Sequence, residues 1–315
     1  MPLPESSVWW PSRPVLLSVG ERRFDLTTRA LVIGMLSSAS GALGGESPRA
    51  EIDRCLEQAE RMIADGADLL DAGVMVDDER TSEAEELDRL VPIVEALCHA
   101  FDVPVSVNTT KASVAAAGFR AGALIGNDLS GFSDPDYLSV AADSGASVVA
   151  GLGPYHLPPT PRPERAERDL IGEVERYLCE RAECAVEHGI PANRVIADPG
   201  PLDRDYSYWA RLFLRGSSRL ASLGYPVLLS SPEPHGPKRL SAEPADTLLA
   251  ESLAATSLGI VAGCRLVRTS DVSRACRVRD LLASIMESAP ECEALPEDGA
   301  PSESVGLEVP PARSR

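Results

Sequence analysis

The feature that most constrains this chain is a regular alternation of short apolar runs with amphipathic stretches, from about residue 30 to residue 287. Runs rich in Val, Ile and Leu predict strands of a parallel sheet that helices cover on its faces. Apolar residues three and four positions apart predict helices between them. The predicted strands are Ala30–Leu36, Asp68–Val74, Val103–Asn108, Leu124–Leu129, Ala146–Leu152, Arg194–Pro199, Pro226–Ser231 and Arg265–Thr269. The predicted helices are Pro48–Asp65, Ser82–Phe101, Ala112–Ala121, Asp136–Ser144, Glu167–His188, Ser207–Leu223, Pro244–Leu258 and Val272–Glu287.

Eight strand-then-helix units over about 255 residues predict an α/β fold, a (β/α)8 TIM barrel. A doubly wound open sheet is the alternative, but the first strand-to-helix turn has no GxGxxG motif. Residues 15–26 alternate around Gly20 and predict a β-hairpin. The expected organisation is an N-terminal segment with the hairpin (1–29), the barrel (30–287) and a disordered, acidic, Pro-rich tail (288–315).

The charge balance excludes one class of partner. The chain has 48 acidic and 30 basic side chains and a net charge of −18, so it offers no basic excess for nucleic acid. No apolar run is long enough to span a membrane, and the N-terminus has no signal-peptide pattern, so a cytoplasmic protein is expected. The seven cysteines form no CxxC and the four histidines are scattered, so we expect buried thiols and no metal centre.

In a barrel of this kind, function lies in the loops that follow the strands. Polar side chains occur at or near most of these strand ends, and each alone is equally well explained as a helix cap. The residues in question include Ser37, Asp71, Asn108, Asn127, Asp198, His235, Lys238, Arg268 and Ser270. A Pro-rich loop after the fifth barrel strand adds His156.

The order of four short motifs is more informative than any single residue. "SVNTTK", "GNDLSG", "VIADPG" and "LVRTSDV" end the third, fourth, sixth and eighth barrel strands. This series resembles the dihydropteroate synthases of the pterin-binding barrel family, whose segments look like S-[IV]-D-T-x-K, I-N-D-[VI]-S-G, [IL]-D-P-G and R-V-H-D-V. The resemblance covers residues 15–287, including "GADLLDAG" in the second strand.

The resemblance implies an activity and roles for particular residues. Enzymes of that family join a dihydropterin pyrophosphate to p-aminobenzoate, with displacement of pyrophosphate and the help of Mg2+. Carried over by position, Asn127 and Asp198 would hydrogen-bond the edge of the pterin ring. Arg268 would meet the leaving pyrophosphate. The family usually dimerises through its last helices, so a homodimer is expected.

The chain departs from the family pattern at several ligand positions. The family's third-strand Asp is Asn108, its first-strand Asn near the metal is Ser37, and the His after the last-strand Arg is Ser270. The Arg-bearing loop after the second strand has become "VMVDDER", and the seventh-strand lysine is missing unless Lys238 replaces it. Acids in place of cations oppose an anionic diphosphate.

These departures leave three hypotheses open. The first is a repurposed transferase-like enzyme that condenses or rearranges a flat heterocyclic or aryl-amine substrate, in secondary metabolism, with His156, His235 or Asp198 in proton transfer. The second is a non-catalytic pterin-binding paralogue, or a partner of an active synthase. The third is an authentic dihydropteroate synthase. A corrinoid-linked methyltransferase on a related barrel has no support in the sequence.

Overall fold

Eight parallel strands alternate with eight helices in the computed structural model, which describes residues 14–39, 47–75, 82–153, 167–200, 209–230 and 245–287. Two short strands, β1 (Leu16–Val19) and β2 (Arg22–Asp25), precede them. The parallel strands are β3 (Leu31–Ala39), β4 (Leu69–Met75), β5 (Val105–Asn108), β6 (Ile125–Asp128), β7 (Ser147–Gly151), β8 (Val195–Asp198), β9 (Leu228–Ser230) and β10 (Leu266–Thr269). The helices are α1 (Pro48–Ala64), α2 (Glu83–Ala100), α3 (Ala112–Arg120), α4 (Tyr137–Asp143), α5 (Glu167–Glu187), α6 (Trp209–Ala221), α7 (Ala245–Val261) and α8 (Val272–Glu287).

The parallel strands form a sheet that closes on itself. Its order is β8-β7-β6-β5-β4-β3-β10-β9, so β8 and β9 are the two edges. An isolated parallel bridge between Ala197 and Val227 joins these edges, and the Ala197 amide donates to the carbonyl oxygen of Pro226 at 2.9 Å. This closure confirms the predicted (β/α)8 barrel.

Local signals set where the first helices begin. Ser47 accepts a hydrogen bond from the Ala50 amide ahead of α1, and Ser82 forms a capping box with Glu85 at the start of α2. Such caps satisfy amide groups that lack partners within the helix. Each helix follows the carboxyl end of a barrel strand, and the carboxyl ends of the parallel strands lie together at one end of the barrel.

The hairpin of β1 and β2 closes the opposite end. Leu17, Val19 and Leu26 are buried against the first inward residues of the barrel strands, which include Leu31 and Leu69. Hydrogen bonds fix the hairpin there, since the Ser147 hydroxyl donates to the Ser18 carbonyl oxygen at 2.7 Å. The predicted hairpin is therefore confirmed, and it is the floor of the barrel.

The interior of the barrel changes from apolar to polar along the strand direction. On five strands an apolar inward residue is followed two positions later by a polar one, because alternate residues of a strand face the same side. These pairs are Leu69 and Asp71, Ile125 and Asn127, Ile196 and Asp198, Leu228 and Ser230, and Leu266 and Arg268. An apolar layer thus rests on the hairpin, and a polar layer lies above it, toward the strand-to-helix loops.

The remaining sequence expectations concern thiols, membranes and the tail. Burial raises the pKa of Cys98, Cys264 and Cys276 to about 11, which keeps these thiols protonated and suits a packing role. None of the helices in the described residues has the length and apolar character needed to cross a membrane. The predicted tail, 288–315, lies outside the described residues.

Candidate functional site at the polar end of the barrel

Asp71 on β4 is the centre of the polar layer. Its buried carboxylate accepts hydrogen bonds from the Nδ2 of Asn127, at 3.2 Å to Oδ1 and 3.1 Å to Oδ2, and from the Nδ2 of Asn108, at 3.1 Å to Oδ2. A terminal nitrogen of Arg268 lies 3.5 Å from the same Oδ2. Strand register explains the grouping, because Asp71 pairs with Ser106 and Asn108 pairs with Asn127 across adjacent strands.

Arg268 joins this group to Asp198 on β8. One terminal guanidinium nitrogen lies 3.4 Å from the Oδ2 of Asp198 and donates to the Ser230 hydroxyl at 2.8 Å. All three side chains are buried. The guanidinium therefore lies between two carboxylates that come from different parts of the barrel wall.

Asp198 has an unusual protonation equilibrium. Complete burial raises its pKa, and the Asp71 carboxylate adds to the rise, while Arg268 and the Gly200 amide oppose it. The Gly200 amide donates to Asp198 Oδ1 at 2.8 Å. Gly200 has φ +104°, and a Cβ there would lie 2.4 Å from the Leu152 carbonyl oxygen, so only glycine supplies this amide. An acid held in this way can keep a proton at a higher pH than an exposed one.

A small cavity separates the two layers and leaves polar atoms without partners. Its apolar walls include Ile33, Ile125, Val149, Ile196 and Leu228, and its polar lining is Asp71, Ser106, Asn127 and Arg268. Four buried polar atoms of this region make no hydrogen bond: Ser106 Oγ, Asn127 Oδ1, Asp198 Oδ2 and Arg268 Nε. Buried polar groups are almost always paired, so this concentration marks a place where a ligand or water would complete them.

The structure brings four of the sequence-predicted site residues together: Asn108, Asn127, Asp198 and Arg268. Ser270 is half-buried, one residue beyond the end of β10. Ser37 lies on β3, opposite Gly73 of β4. His156, His235 and Lys238 lie outside the described residues.

Two members of the polar layer were not predicted from the sequence, and a third, Asp71, was predicted without its central role. Asp71 was placed near the end of its strand as one polar residue among several, but it lies mid-strand, four residues before the end of β4. Ser106 and Ser230 were not singled out. The alternation of side chains along each strand could have revealed all three residues. Asp71 and Ser230 lie two positions after an apolar residue that faces the barrel interior, and Ser106 lies two positions before Asn108, so each faces the interior too.

The Mg2+ that the resemblance implies does not fit the described residues. No group of three or more His, Cys, Asp or Glu side chains in that part of the chain could hold a metal ion. The two carboxylates of the polar layer already face Arg268.

Fold and site together define a class of protein. A closed (β/α)8 barrel with a polar layer at the carboxyl ends of its strands is the arrangement of small-molecule barrel enzymes. The chain belongs to the pterin binding enzyme family, whose sequence model matches residues 44–270. This is an enzyme family whose members include transferases that bind small-molecule substrates.

The chain is similar to dihydropteroate synthases. It is 33% identical to that of Bacillus subtilis over 263 residues, which cover 82% of this chain and 89% of the relative. It is also 32% identical over 274 residues to a Mycobacterium bovis protein named inactive dihydropteroate synthase 2, covering 83% of this chain and 85% of the relative. Among solved structures, Xanthomonas albilineans dihydropteroate synthase in complex with indole-2-carboxylic acid and 6-chloroguanine matches with a TM-score of 0.73 and 27% identity, over 88% of this chain and 99% of that one.

Proposed function

We propose that this chain is a dihydropteroate synthase-family enzyme with a remodelled site, which condenses or rearranges a flat heterocyclic or aryl-amine substrate in secondary metabolism. The observation that carries the proposal is the buried group of Asp71, Asp198 and Arg268, with its unpartnered polar atoms. Such a group costs folding free energy unless a ligand completes it. Its retention supports a site that still binds a ligand.

The described residues suit the polar edge of a flat ring. Asp198 Oδ2 and Asn127 Oδ1 are free to accept hydrogen bonds from ring N–H or amino groups. The raised pKa of Asp198, caused by its burial, suits it to hold or release a proton during the reaction. His156, His235 and Lys238, on the loops after β7 and β9, are further candidates for proton transfer and for contact with the ring.

The substitutions in the family motifs support a changed reaction. Asn108 replaces a carboxylate that would face a cation-like intermediate. The loops after β4 and β9 carry Asp77, Asp78, Glu79 and Glu233, where the family binds a diphosphate with cationic side chains. Negative charges at these positions oppose a pyrophosphate leaving group.

The family's usual reaction is the first test. The purified protein is incubated with dihydropterin pyrophosphate, p-aminobenzoate and Mg2+, and 7,8-dihydropteroate is measured by chromatography, with the Bacillus subtilis enzyme as positive control. We expect no product. Formation of product would identify an authentic dihydropteroate synthase and overturn the repurposed function.

Ligand screening is the second test. Thermal unfolding is followed with pterins, 6-chloroguanine and aryl amines, for the wild type and for Asp198→Asn. A ligand at 100 times its Kd stabilises the folded state by about 2.7 kcal/mol. We expect a pteridine or aryl amine to raise the wild-type Tm and Asp198→Asn to lose most of that rise. Asp68→Asn, at the other end of the barrel, is the matched control and should keep it. A screen without any stabilising ligand contradicts the proposal.

A second function is favoured by one comparison. The similarity to a protein named inactive dihydropteroate synthase 2 supports a non-catalytic pterin-binding paralogue, or a partner of an active synthase. Under this alternative, pterins would still stabilise the protein, but no combination of pterin and aryl amine would yield a product. Asp198→Asn would then leave pairing with an active synthase intact, whereas under the enzymatic function it would abolish turnover.

We also propose that the chain forms a homodimer through α7 and α8, which lie side by side. Leu258 on α7 is 59% exposed, and Leu281 and Ile285 on α8 are 61% and 50% exposed. Exposed large apolar side chains on two neighbouring helices favour a partner surface. Light scattering after size-exclusion chromatography should give the mass of two chains, and Leu281→Glu should give one. Val186→Glu, at an exposed apolar residue of α5, is the control and should leave the dimer unchanged.

A further inference from the structure

The contacts of Asp71 determine which way two amide groups face. A carboxylate accepts hydrogen bonds and cannot donate them, so only the nitrogen side of an amide can point toward it. Asn127 directs its Nδ2 at both oxygens of Asp71, at 3.2 and 3.1 Å, and Asn108 directs its Nδ2 at one of them, at 3.1 Å. The Oδ1 of each amide therefore faces away from Asp71.

One of these two oxygens, that of Asn127, belongs to the unpartnered atoms of the polar layer. Asn127 lines the cavity, and its Oδ1 is buried without a partner. Asp198 Oδ2, on the other side of Arg268, is also buried without a hydrogen bond. Among the unpartnered atoms, Asn127 Oδ1 and Asp198 Oδ2 are acceptors, Ser106 Oγ can donate or accept, and Arg268 Nε is a donor. The amides that Asp71 holds therefore add acceptors, and no further donors, to what a ligand's edge can meet.

We propose that Asp71 is a specificity-determining positioning residue, which turns the oxygens of Asn127 and Asn108 outward and so makes the pocket select a ligand edge that donates hydrogen bonds. The inference rests on the proposed function, since it assumes that a flat heterocycle lies against the polar layer. It assigns to Asp71 a role that acts through the two asparagines rather than through direct contact with the substrate.

The same contacts explain why residue 108 is an amide in this chain. A carboxylate at position 108 would lie beside Asp71 with no hydrogen between the two acceptors, and like charges at that distance repel. The amide of Asn108 removes the repulsion and keeps an oxygen for the ligand. Positions 71 and 108 are therefore coupled: a change at one of them alters which hydrogen-bonding atom the other directs toward the ligand.

Pterin and lumazine test this selection directly. The two rings differ at carbon 2, where pterin has an amino group that donates and lumazine has a carbonyl group that accepts, and at N1, which accepts in pterin and carries a hydrogen in lumazine. We expect the wild type to bind pterin at least about tenfold more tightly, because an acceptor facing an acceptor leaves both unpaired in a buried site. Both Kd values are measured by titration of the ligand's fluorescence.

Asp71→Asn should reduce this preference. The introduced amide has one oxygen and one NH2 group. With the oxygen at the Oδ2 position it still accepts from Asn108, but its NH2 then meets the nitrogen of Asn127, which lay 3.2 Å from Oδ1. Asn127 is therefore the amide that should rotate and present its NH2 to the ligand. We expect the ratio of the two Kd values to fall about tenfold, toward unity. Asp68→Asn, the same change near the start of the same strand, should leave the ratio at its wild-type value.

A double variant separates positioning from a purely structural role. Asp71→Asn combined with Asn108→Asp restores one carboxylate and one amide in the pair. The introduced amide can donate its NH2 from the Oδ2 position to position 108, and its oxygen, at the Oδ1 position, can accept from Asn127, although the second contact of Asn127, to Oδ2, is lost. We expect the pterin preference to return in part, to at least about threefold above that of Asp71→Asn alone, since most of the coupled contacts are complementary again. A Kd ratio that Asp71→Asn leaves unchanged, or that the double variant fails to rescue, overturns the inference.

The amides can also be followed without a ligand. The chain has only three asparagines, Asn108, Asn127 and Asn193, so selective isotope labelling of asparagine gives three side-chain NH2 signals in an NMR spectrum. Asn193 donates to the Ser18 hydroxyl at the hairpin end and is an internal control. Asp71→Asn adds a fourth NH2 signal, from position 71, and should move the Asn127 or Asn108 signal while leaving Asn193 in place.

The Kd ratio and the asparagine signals together distinguish failure of the proposed ligand class from failure of the role assigned to Asp71. If the wild type binds neither pteridine but the asparagine signals respond to Asp71→Asn, the positioning by Asp71 holds and the proposed ligand class is wrong. If the wild type binds pterin with no preference over lumazine, the ligand class holds and the selection by Asp71 is wrong. Asparagine signals that do not respond to Asp71→Asn overturn the inference in either case.

Discussion

Two buried arginines at opposite ends of the barrel pair with aspartates on or next to β4. Arg279 contacts Asp68, just before the strand, and Arg268 contacts Asp71 within it, at a longer distance. At the closed end, Arg279 lies 2.7 Å from Asp68 Oδ2 and donates its Nε to Asp280 at 2.8 Å. At the open end, Arg268 lies 3.5 Å from Asp71 and 3.4 Å from Asp198, and its Nε has no partner. Both side chains are at most 5% exposed.

The lengths of these contacts indicate that the Arg279 group stabilises the fold, whereas the Arg268 group is suited to bind a ligand. Asp68 also accepts the Val32 amide at 2.8 Å, so the closed-end group is joined to the backbone of β3 and its contacts are short. The open-end group has long contacts and leaves polar atoms of Asp198, Asn127 and Arg268 unpaired. Similar residue types therefore stabilise the fold at one end and remain available for a ligand at the other.

The largest expected effect is the loss of stability when the ion pair at the closed end, Arg279 with Asp68, is removed. Arg279→Met should lower the free energy of unfolding by about 3 to 5 kcal/mol, because Asp68 loses its nearest charged partner and keeps the more distant Arg29, at 3.7 Å. Arg268→Met should cost less, because its contacts are longer and Asp198 can take up a proton in place of the guanidinium. Urea denaturation of both variants measures the difference, and equal losses would contradict the comparison.

The next effect concerns the floor of the barrel. Leu17→Ala should cost about 3 kcal/mol, because it removes a fully buried side chain from the apolar layer. It should leave the pterin-to-lumazine ratio unchanged. Leu16→Ala, at an exposed residue of the same strand, is the matched control and should change stability by less than about 0.5 kcal/mol. A changed ratio in Leu17→Ala would show that the two layers are not independent.

A smaller effect concerns the pH dependence that the open end imposes. The pKa of Asp198 is raised by burial, so the folded protein binds more protons than the unfolded chain above the ordinary value of 3.8. The contribution of this group to stability is therefore full below that value and is lost as pH rises through the folded pKa. Urea denaturation across pH should show this decline in the wild type, and Asp198→Asn should flatten it. An unchanged profile in the variant would assign the decline to other groups.

The smallest effect tests a neutral member of the polar layer. Ser230→Ala removes the hydroxyl that accepts from Arg268, and should cost about 1 kcal/mol of stability and about fivefold in pterin affinity. Ser217→Ala removes a buried hydroxyl that donates to the Phe213 carbonyl oxygen on α6, and should cost similar stability without changing affinity. Equal affinity losses in the two variants would show that Ser230 acts only through general stability.

The barrel could be predicted from the sequence because its signals are local. Apolar runs such as the one in β7, caps such as Ser82, and the alternation around Gly20 each act within a few residues of the chain. Parallel strands between helices leave few ways to close such a sheet. The predicted strands and helices therefore agree closely with those in the structure.

The polar layer could be predicted only in part. Asn127, Asp198 and Arg268 lie in motifs, so the resemblance identified them. Asp71 lies in the run "LLDAG", where one acid within an apolar strand has no neighbour in sequence that reveals its partners. Its partners come from β5, β6 and β10, and the contact with Arg268 spans 197 positions. Such contacts depend on barrel register, which no local pattern encodes.

The join between β8 and β9 has a consequence for how the barrel opens. Other adjacent strands share three to seven paired residues, whereas these two edges meet at one bridge, Ala197 with Val227. Local opening is cheapest where the fewest backbone hydrogen bonds must break, so amide hydrogen exchange should be fastest along this join. Asp198 follows Ala197 directly, so such an opening would let solvent protons reach the buried acid without unfolding of the rest of the wall.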